Sequence, residues 1–170
     1  MVARRILVLG GARSGKSAFA ERLAVECGEP VLYVATAAAL DEEMAQRIAE
    51  HRRRRPATWR TLEAAHGLAE QIGATAGDAR TVLIEDLTLL LTNLMLRGHD
   101  GESAAVAEFN ALQALRTHLI VVSNEVGMGI VPHTPLGRSF RDALGRLNQH
   151  AAQHLTEVYV LFAGLPLRLK

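Results

Sequence analysis

Short apolar runs alternate along the chain with longer stretches in which apolar positions recur every three or four residues. The apolar runs read as strands: residues 4–10 (RRILVLG), 31–37 (VLYVATA), 58–64 (TWRTLEA), 81–86 (TVLIED), 118–124 (HLIVVSN), 157–164 (EVYVLFAG) and the closing 165–170 (LPLRLK). The stretches between them predict helices. The first runs from Ser17 to Cys27 and is closed by Gly28, and others cover 41–54, 65–74, 87–97, 102–116 and 135–154. Gly98 and Gly101 are expected to break the helix that follows the fourth strand. Strands apolar on both faces, separated by helices, predict an α/β fold with a mostly parallel sheet covered by helices on both faces. Such sheets bind ligands at the carboxyl ends of their strands.

Composition narrows the class. A chain of 170 residues is expected to form one domain with a real core. Hydrophobic residues make up 49% and aromatics only 4%, so that core is aliphatic. The single cysteine, Cys27, cannot form an internal disulfide, which suits a reducing cytoplasm. The apolar run at Ile6–Leu9 is too short for a signal peptide or a membrane span. A net charge of +1 argues against a general nucleic-acid binder. No internal repeat, low-complexity tract or linker interrupts the pattern.

The strongest motif lies at the first strand–helix junction. GGARSGKS comprises Gly10, Gly11, Ala12, Arg13, Ser14, Gly15, Lys16 and Ser17, and fits G-x-x-x-x-G-K-[ST] with an apolar strand before it and a helical pattern after it. Glycines let the backbone wrap phosphate closely, and the helix N-terminus presents N–H groups to the anion. Lys16 is placed to reach the β- and γ-phosphates, and the Ser17 hydroxyl to ligate Mg2+. A phosphate loop also needs an acid at the end of a neighbouring strand, and TVLIED offers Glu85 and Asp86. Successive strand residues face opposite ways, so only one serves the site. Glu85 is favoured; Asp86 is suited to cap the next helix. Small-molecule kinases, ATPases and GTPases all share this cradle, so it predicts nucleoside triphosphate binding and not a reaction.

A second stretch, RIAEHRRRRP, places His51 directly before Arg52, Arg53, Arg54 and Arg55 in a chain with almost no net charge. The segment DEEMAQRIAEHRRRR reads as an amphipathic helix with acids at its start and cations at its end, as the helix dipole favours. A solvated basic helix end accounts for the arginines alone; it gives the histidine no task.

Four blocks taken in order resemble one family: GGARSGKS; VLYVATA with DEEMAQRIAEHRRRRP and WRTLEA; IEDLTLLLTNLM; and VVSNEVGMGIVPHTPLGRSFRDALGRLNQHAA with the ending VYVLFAGLPLRLK. They are similar to the bifunctional adenosylcobinamide kinase/adenosylcobinamide-phosphate guanylyltransferase family of cobalamin (vitamin B12) biosynthesis, nearly end to end, with residues 98–118 the weakest match. SNEVGMGIVP joined to R-x-x-x-G-R-x-N-Q is the most particular block. The resemblance implies a P-loop NTPase of RecA-like architecture, with ATP and GTP as substrates, Mg2+, a corrinoid acceptor and a homotrimer. It implies phosphorylation of adenosylcobinamide, then transfer of GMP from GTP through a histidine, here His51. Of the arginines, Arg52 and Arg55 lie three apart and are the pair expected to face the triphosphate. The resemblance also implies nucleotide contacts at Ala35, Thr36 and Ala37, and guanine recognition by Glu63 and Glu85. The family often carries a small or thiol residue where Asp86 stands, which leaves open which acid serves Mg2+. The rival readings are a P-loop kinase of another metabolite, which needs Lys16, Ser17 and Glu85 but not His51, and a regulatory GTP binder.

Other features point to packing. His150 and His154 share a helix face but lack the neighbouring ligands of a zinc site. Leu87–Leu96 is too short for a membrane and predicts a core or subunit-contact helix.

Overall fold

The computed structural model describes residues 2–37, 42, 56–98 and 100–170. The helix expected over 41–54, and with it His51 and Arg52–Arg55, lies outside the described residues, apart from Glu42.

Seven strands form one sheet among the described residues: β1 (Arg5–Gly10), β2 (Val31–Ala35), β3 (Arg60–Glu63), β4 (Thr81–Glu85), β5 (His118–Val122), β6 (Glu157–Phe162) and β7 (Leu165–Arg168). Their order is β3-β2-β4-β5-β1-β6-β7. Every pairing is parallel except that of β6 with β7. Five helices are described: α1 (Lys16–Cys27), α2 (Leu68–Thr75), α3 (Leu87–Leu96), α4 (Gly101–Leu112) and α5 (Pro135–His154).

The central strands are mostly apolar because both faces of the sheet are covered there, while the edge strands β3 (RTLE) and β7 (LPLR) carry polar, exposed residues. Ile6, Val8, Val31, Tyr33, Leu83 and Ile120 pack with Ala20, Leu23 and Ala24 of α1. Their neighbours Leu7, Leu32, Val34, Val82, Ile84 and Val121 pack on the opposite face with α2–α5. Leu87, Leu90, Leu91 and Leu94 are buried there, so α3 is a core helix.

Most element ends have a local chemical cause. Thr134 caps α5 by accepting from the Gly137 N–H at 3.1 Å, with Pro135 in the first turn. Asp86 caps α3 and Asp100 caps α4. α2 starts at Leu68, three residues later than the sequence pattern predicts, behind left-handed Gly67. Its first amides are capped from α4, where the Glu108 carboxylate accepts from the N–H groups of Gly67 at 2.5 Å and Leu68 at 2.8 Å. The helix expected over 102–116 takes in Gly101 and ends at Leu112. The β6–β7 turn is Ala163–Gly164, both left-handed (φ 49° and 81°), which matches the twist of an antiparallel pair.

Candidate active site

β1 ends at Gly10, and the chain wraps tightly into α1. A Cβ on Gly10 would lie 2.6 Å from Ser14 Oγ and 2.8 Å from the Leu161 carbonyl, so only glycine fits. Gly15 is left-handed (φ 95°), and no side chain among the described residues caps α1, which leaves its first N–H groups suited to a ligand. Two backbone bonds brace the loop: Gly164 N–H donates to Ser14 O, and Glu125 N–H to Gly10 O, each at 3.0 Å. The Lys16 ammonium folds back and donates to Gly11 O at 2.7 Å. Its burial lowers its pKa, while the charges of Asp86 and Glu85 oppose that shift.

The acid pair is divided between two tasks. Glu85 faces the phosphate loop: Ser17 Oγ donates to its Oε1 at 2.6 Å. Its Oε2 is enclosed and has no hydrogen-bond partner among the described residues. Burial, reinforced by the neighbouring charge of Asp86, pushes its carboxyl up to about 8. Ser17 and the half-satisfied Glu85 form an oxygen set suited to a hard divalent cation. Asp86 faces away. Its Oδ1 accepts from Leu89 N–H at 2.8 Å and its Oδ2 from Asn124 Nδ2 at 3.0 Å. Burial raises its pKa too, and the Leu89 hydrogen bond, the charge of Lys16 and the bonds from Thr88 and Asn124 hold it down.

Behind the acids lies an amide network that the pattern of the sequence does not reveal. Asn124 Nδ2 also donates to Thr88 Oγ1 at 2.8 Å, and Asn148 Nδ2 donates to Asn124 O at 3.0 Å. Asn124 belongs to SNEVGMGIVP and Asn148 to R-x-x-x-G-R-x-N-Q, so a hydrogen bond joins the two most distinctive blocks. Only that joint distinctiveness signalled them.

Thr36 differs from expectation. It is fully buried, and its hydroxyl donates to Asp86 O at 2.8 Å and accepts from Asp86 N–H at 2.7 Å. Asn93 Nδ2 donates to Thr36 O at 2.8 Å. The hydroxyl therefore locks the acid pair's backbone rather than facing solvent, because the ATA turn passes directly beneath the end of β4. Ala35 is also buried and Ala37 is half-buried. In sheet register, Ala35 is the partner of both Glu63 and Glu85. The three residues form one row at the carboxyl ends of β3, β2 and β4, which puts the two acidic positions about 10 Å apart at ordinary strand spacing. Glu63 is exposed there.

On the other side of β1, an open cleft of about 340 Å3 adjoins the phosphate loop. Gly10–Ser14, Glu125, Met128 and the end of β6 through Ala163 line it. No helix among the described residues is long and apolar enough to cross a membrane.

The arrangement is that of a nucleoside triphosphate site: a cradle of backbone amides, a lysine, and an acid reached through the loop's own serine. Comparison with known proteins places it further. Three curated relatives are similar over almost their whole length. The bifunctional adenosylcobalamin biosynthesis protein CobP of Pseudomonas aeruginosa is 50% identical over 98% of this chain and 97% of its own. The proteins named CobU from Escherichia coli and Salmonella typhimurium are 43% and 41% identical, each over 97% of this chain and 99% of theirs. Among solved structures, a KaiC-like protein from Pyrococcus horikoshii OT3 is similar at 16% identity and a TM-score of 0.49, covering 91% of this chain and 70% of that one. A family model described as cobinamide kinase / cobinamide phosphate guanyltransferase matches residues 6–169. The phosphate loop, the acid pair and the amide network behind it all fall within that match, and the chain belongs to the cobinamide kinase / cobinamide phosphate guanyltransferase family.

Proposed function

We propose that the chain carries both activities of its family, phosphorylating adenosylcobinamide and then transferring GMP to the resulting phosphate. One observation carries this reading: in a chain matching the family from residue 6 to residue 169, the Ser17 hydroxyl sits 2.6 Å from Glu85 beneath an uncapped α1. That arrangement supports a phosphoryl-transfer site that takes a cation and a nucleotide.

In the kinase step the loop amides of Gly10–Ser17 hold the β- and γ-phosphates, and Lys16 leaves Gly11 O to meet them. Ser17 and Glu85 are the residues that would hold Mg2+. The ion supplies charge neutralisation at the transferring phosphoryl group. The aminopropanol hydroxyl of the acceptor attacks the γ-phosphorus, the bond to the β-phosphate oxygen breaks, and the hydroxyl proton leaves with solvent or a carboxylate.

In the transfer step a neutral His51 nitrogen attacks the α-phosphorus of GTP, and pyrophosphate leaves. The acceptor's phosphate oxygen then displaces the imidazole, giving adenosylcobinamide-GDP. Arg52 and Arg55, with Arg53 and Arg54 beside them, disfavour imidazolium and bind the triphosphate. Glu63 and Glu85 accept from guanine N1–H and N2–H2 in this reading, which their sharing one row with Ala35 supports. Ala35 and Ala37 supply backbone at that row, and Thr36 holds it in place. A homotrimer in the cytoplasm completes the reading, and light scattering measures the assembly.

Covalent labelling tests it. After incubation with Mg2+ and GTP labelled at the α-phosphorus, the denatured chain should retain acid-labile label. The label should be absent with γ-labelled GTP and absent in His51→Ala. An unlabelled wild-type chain that still binds nucleotide would leave a simple kinase or a regulatory GTP binder.

A further inference from the structure

The phosphate loop and the acid pair do not stand on neighbouring strands. The loop follows β1 and the pair follows β4, with β5 between them in the sheet. Ser17 nevertheless meets Glu85 at 2.6 Å across that gap. The segment Ser123–Glu125, which leaves the end of β5, spans it. The N–H groups of Ser123 and Glu125 donate toward β1, to Val8 O and Gly10 O, each at 3.0 Å. Asn124 faces the other way, as the middle residue of an extended segment must. Its N–H donates to Thr88 Oγ1 at 3.0 Å, and its side-chain amide to Thr88 Oγ1 at 2.8 Å and to Asp86 Oδ2 at 3.0 Å. Consecutive residues therefore tie the first glycine of the loop to the second member of the acid pair.

The remaining backbone group of Asn124 is its carbonyl, and it accepts from Asn148 Nδ2 at 3.0 Å. Asn148 comes from the middle of α5, 24 positions further along the chain. It is 6% exposed and stands with Ala143, Leu144, Leu147 and Ala151 in the buried stripe of that helix. Its Oδ1 is enclosed and has no partner among the described residues. A half-satisfied amide in an apolar stripe destabilises a fold. Leucine has the same branched outline and leaves no polar atom unpaired. Packing therefore does not account for an asparagine at this position, whereas the hydrogen bond to the bridge does.

We propose that Asn148 is a positioning residue for phosphoryl transfer: by holding the Asn124 carbonyl it sets the bridge that keeps the phosphate loop and the acid pair in register. The proposal rests on the kinase half of the function proposed above. Asn148 acts through Asn124 and touches no substrate itself. Loss of its amide releases the carbonyl of the bridge's middle residue. The segment can then turn about that peptide, and Gly10 and Asp86 shift relative to each other. A nucleotide held by the loop amides stays bound. Transfer, which depends on close placement of the loop against the acids, slows.

Asn148→Leu tests this, with Asn148→Ala to carry the result should leucine prove too large for the stripe. The readouts are kinase kcat and the KM for ATP, the melting point, and amide hydrogen exchange followed residue by residue. The kcat should fall about ten- to fifty-fold while the KM stays within about twofold. The melting point should stay within about 4 °C of wild type. The N–H groups of Asn124 and Glu125 should exchange at least about tenfold faster, with β1 and β5 keeping their protection. A folded variant with kcat within about twofold of wild type would overturn the proposal. So would a loss of stability with kcat intact, the mark of a residue that only tethers α5, or a loss of kcat/KM lying wholly in the KM. Should the wild-type chain phosphorylate no corrinoid, the functional reading fails instead. The exchange measurement then decides the role of Asn148: faster exchange at Asn124 and Glu125 upholds it, and unchanged protection there overturns it.

Discussion

Replacing Glu85 with glutamine should make the ligand-free protein more stable and less active. The carboxyl of Glu85 is enclosed beside Asp86 and pushed from its ordinary 4.5 to about 8. A carboxyl whose pKa is raised on folding binds more protons folded than unfolded between those two values. Stability is therefore greatest below pH 4.5, falls as pH rises, and levels off above about 8. The full shift corresponds to about 5 kcal/mol at about 1.4 kcal/mol per pH unit. Local relaxation and water entry reduce that, so about 2–3 kcal/mol is the expected gain of Glu85→Gln at pH 8, against well under about 1 kcal/mol at pH 5. Glutamine keeps an acceptor for the Ser17 hydroxyl, so the comparison isolates the charge. Urea unfolding in the presence of a chelator at pH 5, 6.5 and 8 measures it, and a melting-point rise of about 4–10 °C at pH 8 is the thermal counterpart. The same variant should lose at least about a hundredfold in kinase kcat, the pattern of a site kept strained for its chemistry. A variant equal to or weaker than wild type at pH 8, or a difference that does not grow with pH, would refute the account of Glu85 as an enclosed, unpaired acid.

Three further outcomes follow from particular contacts. Lys16→Ala should reduce kinase kcat by about a hundredfold or more and change stability by less than about 1 kcal/mol, because the ammonium's hydrogen bond is to a single loop carbonyl; steady-state kinetics beside chemical denaturation separates the two. Glu108→Ala removes the carboxylate that caps two amides of α2 and should cost about 1–2 kcal/mol in urea unfolding, with little effect on either KM. Asn124→Ala strips a partner from both Asp86 and Thr88; a loss of about 1–2 kcal/mol is expected, together with a fall in kinase kcat larger than any change in the nucleotide KM.

The parallel sheet, the phosphate loop and the helix of residues 135–154 were all legible in the sequence. Each depends on short-range rules: apolar runs that need cover on both faces, a glycine pattern tied to a strand and a helix, a threonine cap followed by proline. Boundaries that failed did so where a distant residue intervened. α2 starts late because its cap is Glu108, some forty positions away in another helix, and no local pattern announces such a partner. Thr36 was expected at the nucleotide because the family resemblance implies contacts at the ATA turn. Its burial depends on β4 arriving beside β2, a contact made only in the folded sheet.

The sequence by itself determined the class of this protein, the cradle for phosphate, the lysine and serine within it, and the short list of acids that serve them. Those features are written in residue types at fixed spacing, which the chain carries before it folds. Strand alternation already favoured Glu85 for the site and Asp86 for the helix cap; the amide network joining Asn124 to Asn148 and the cleft on the β6 side of the loop were decided by tertiary structure alone. They arise from strand order and from side chains far apart in sequence meeting at hydrogen-bonding distance, and a hydrogen bond depends on position in space and not on separation along the chain.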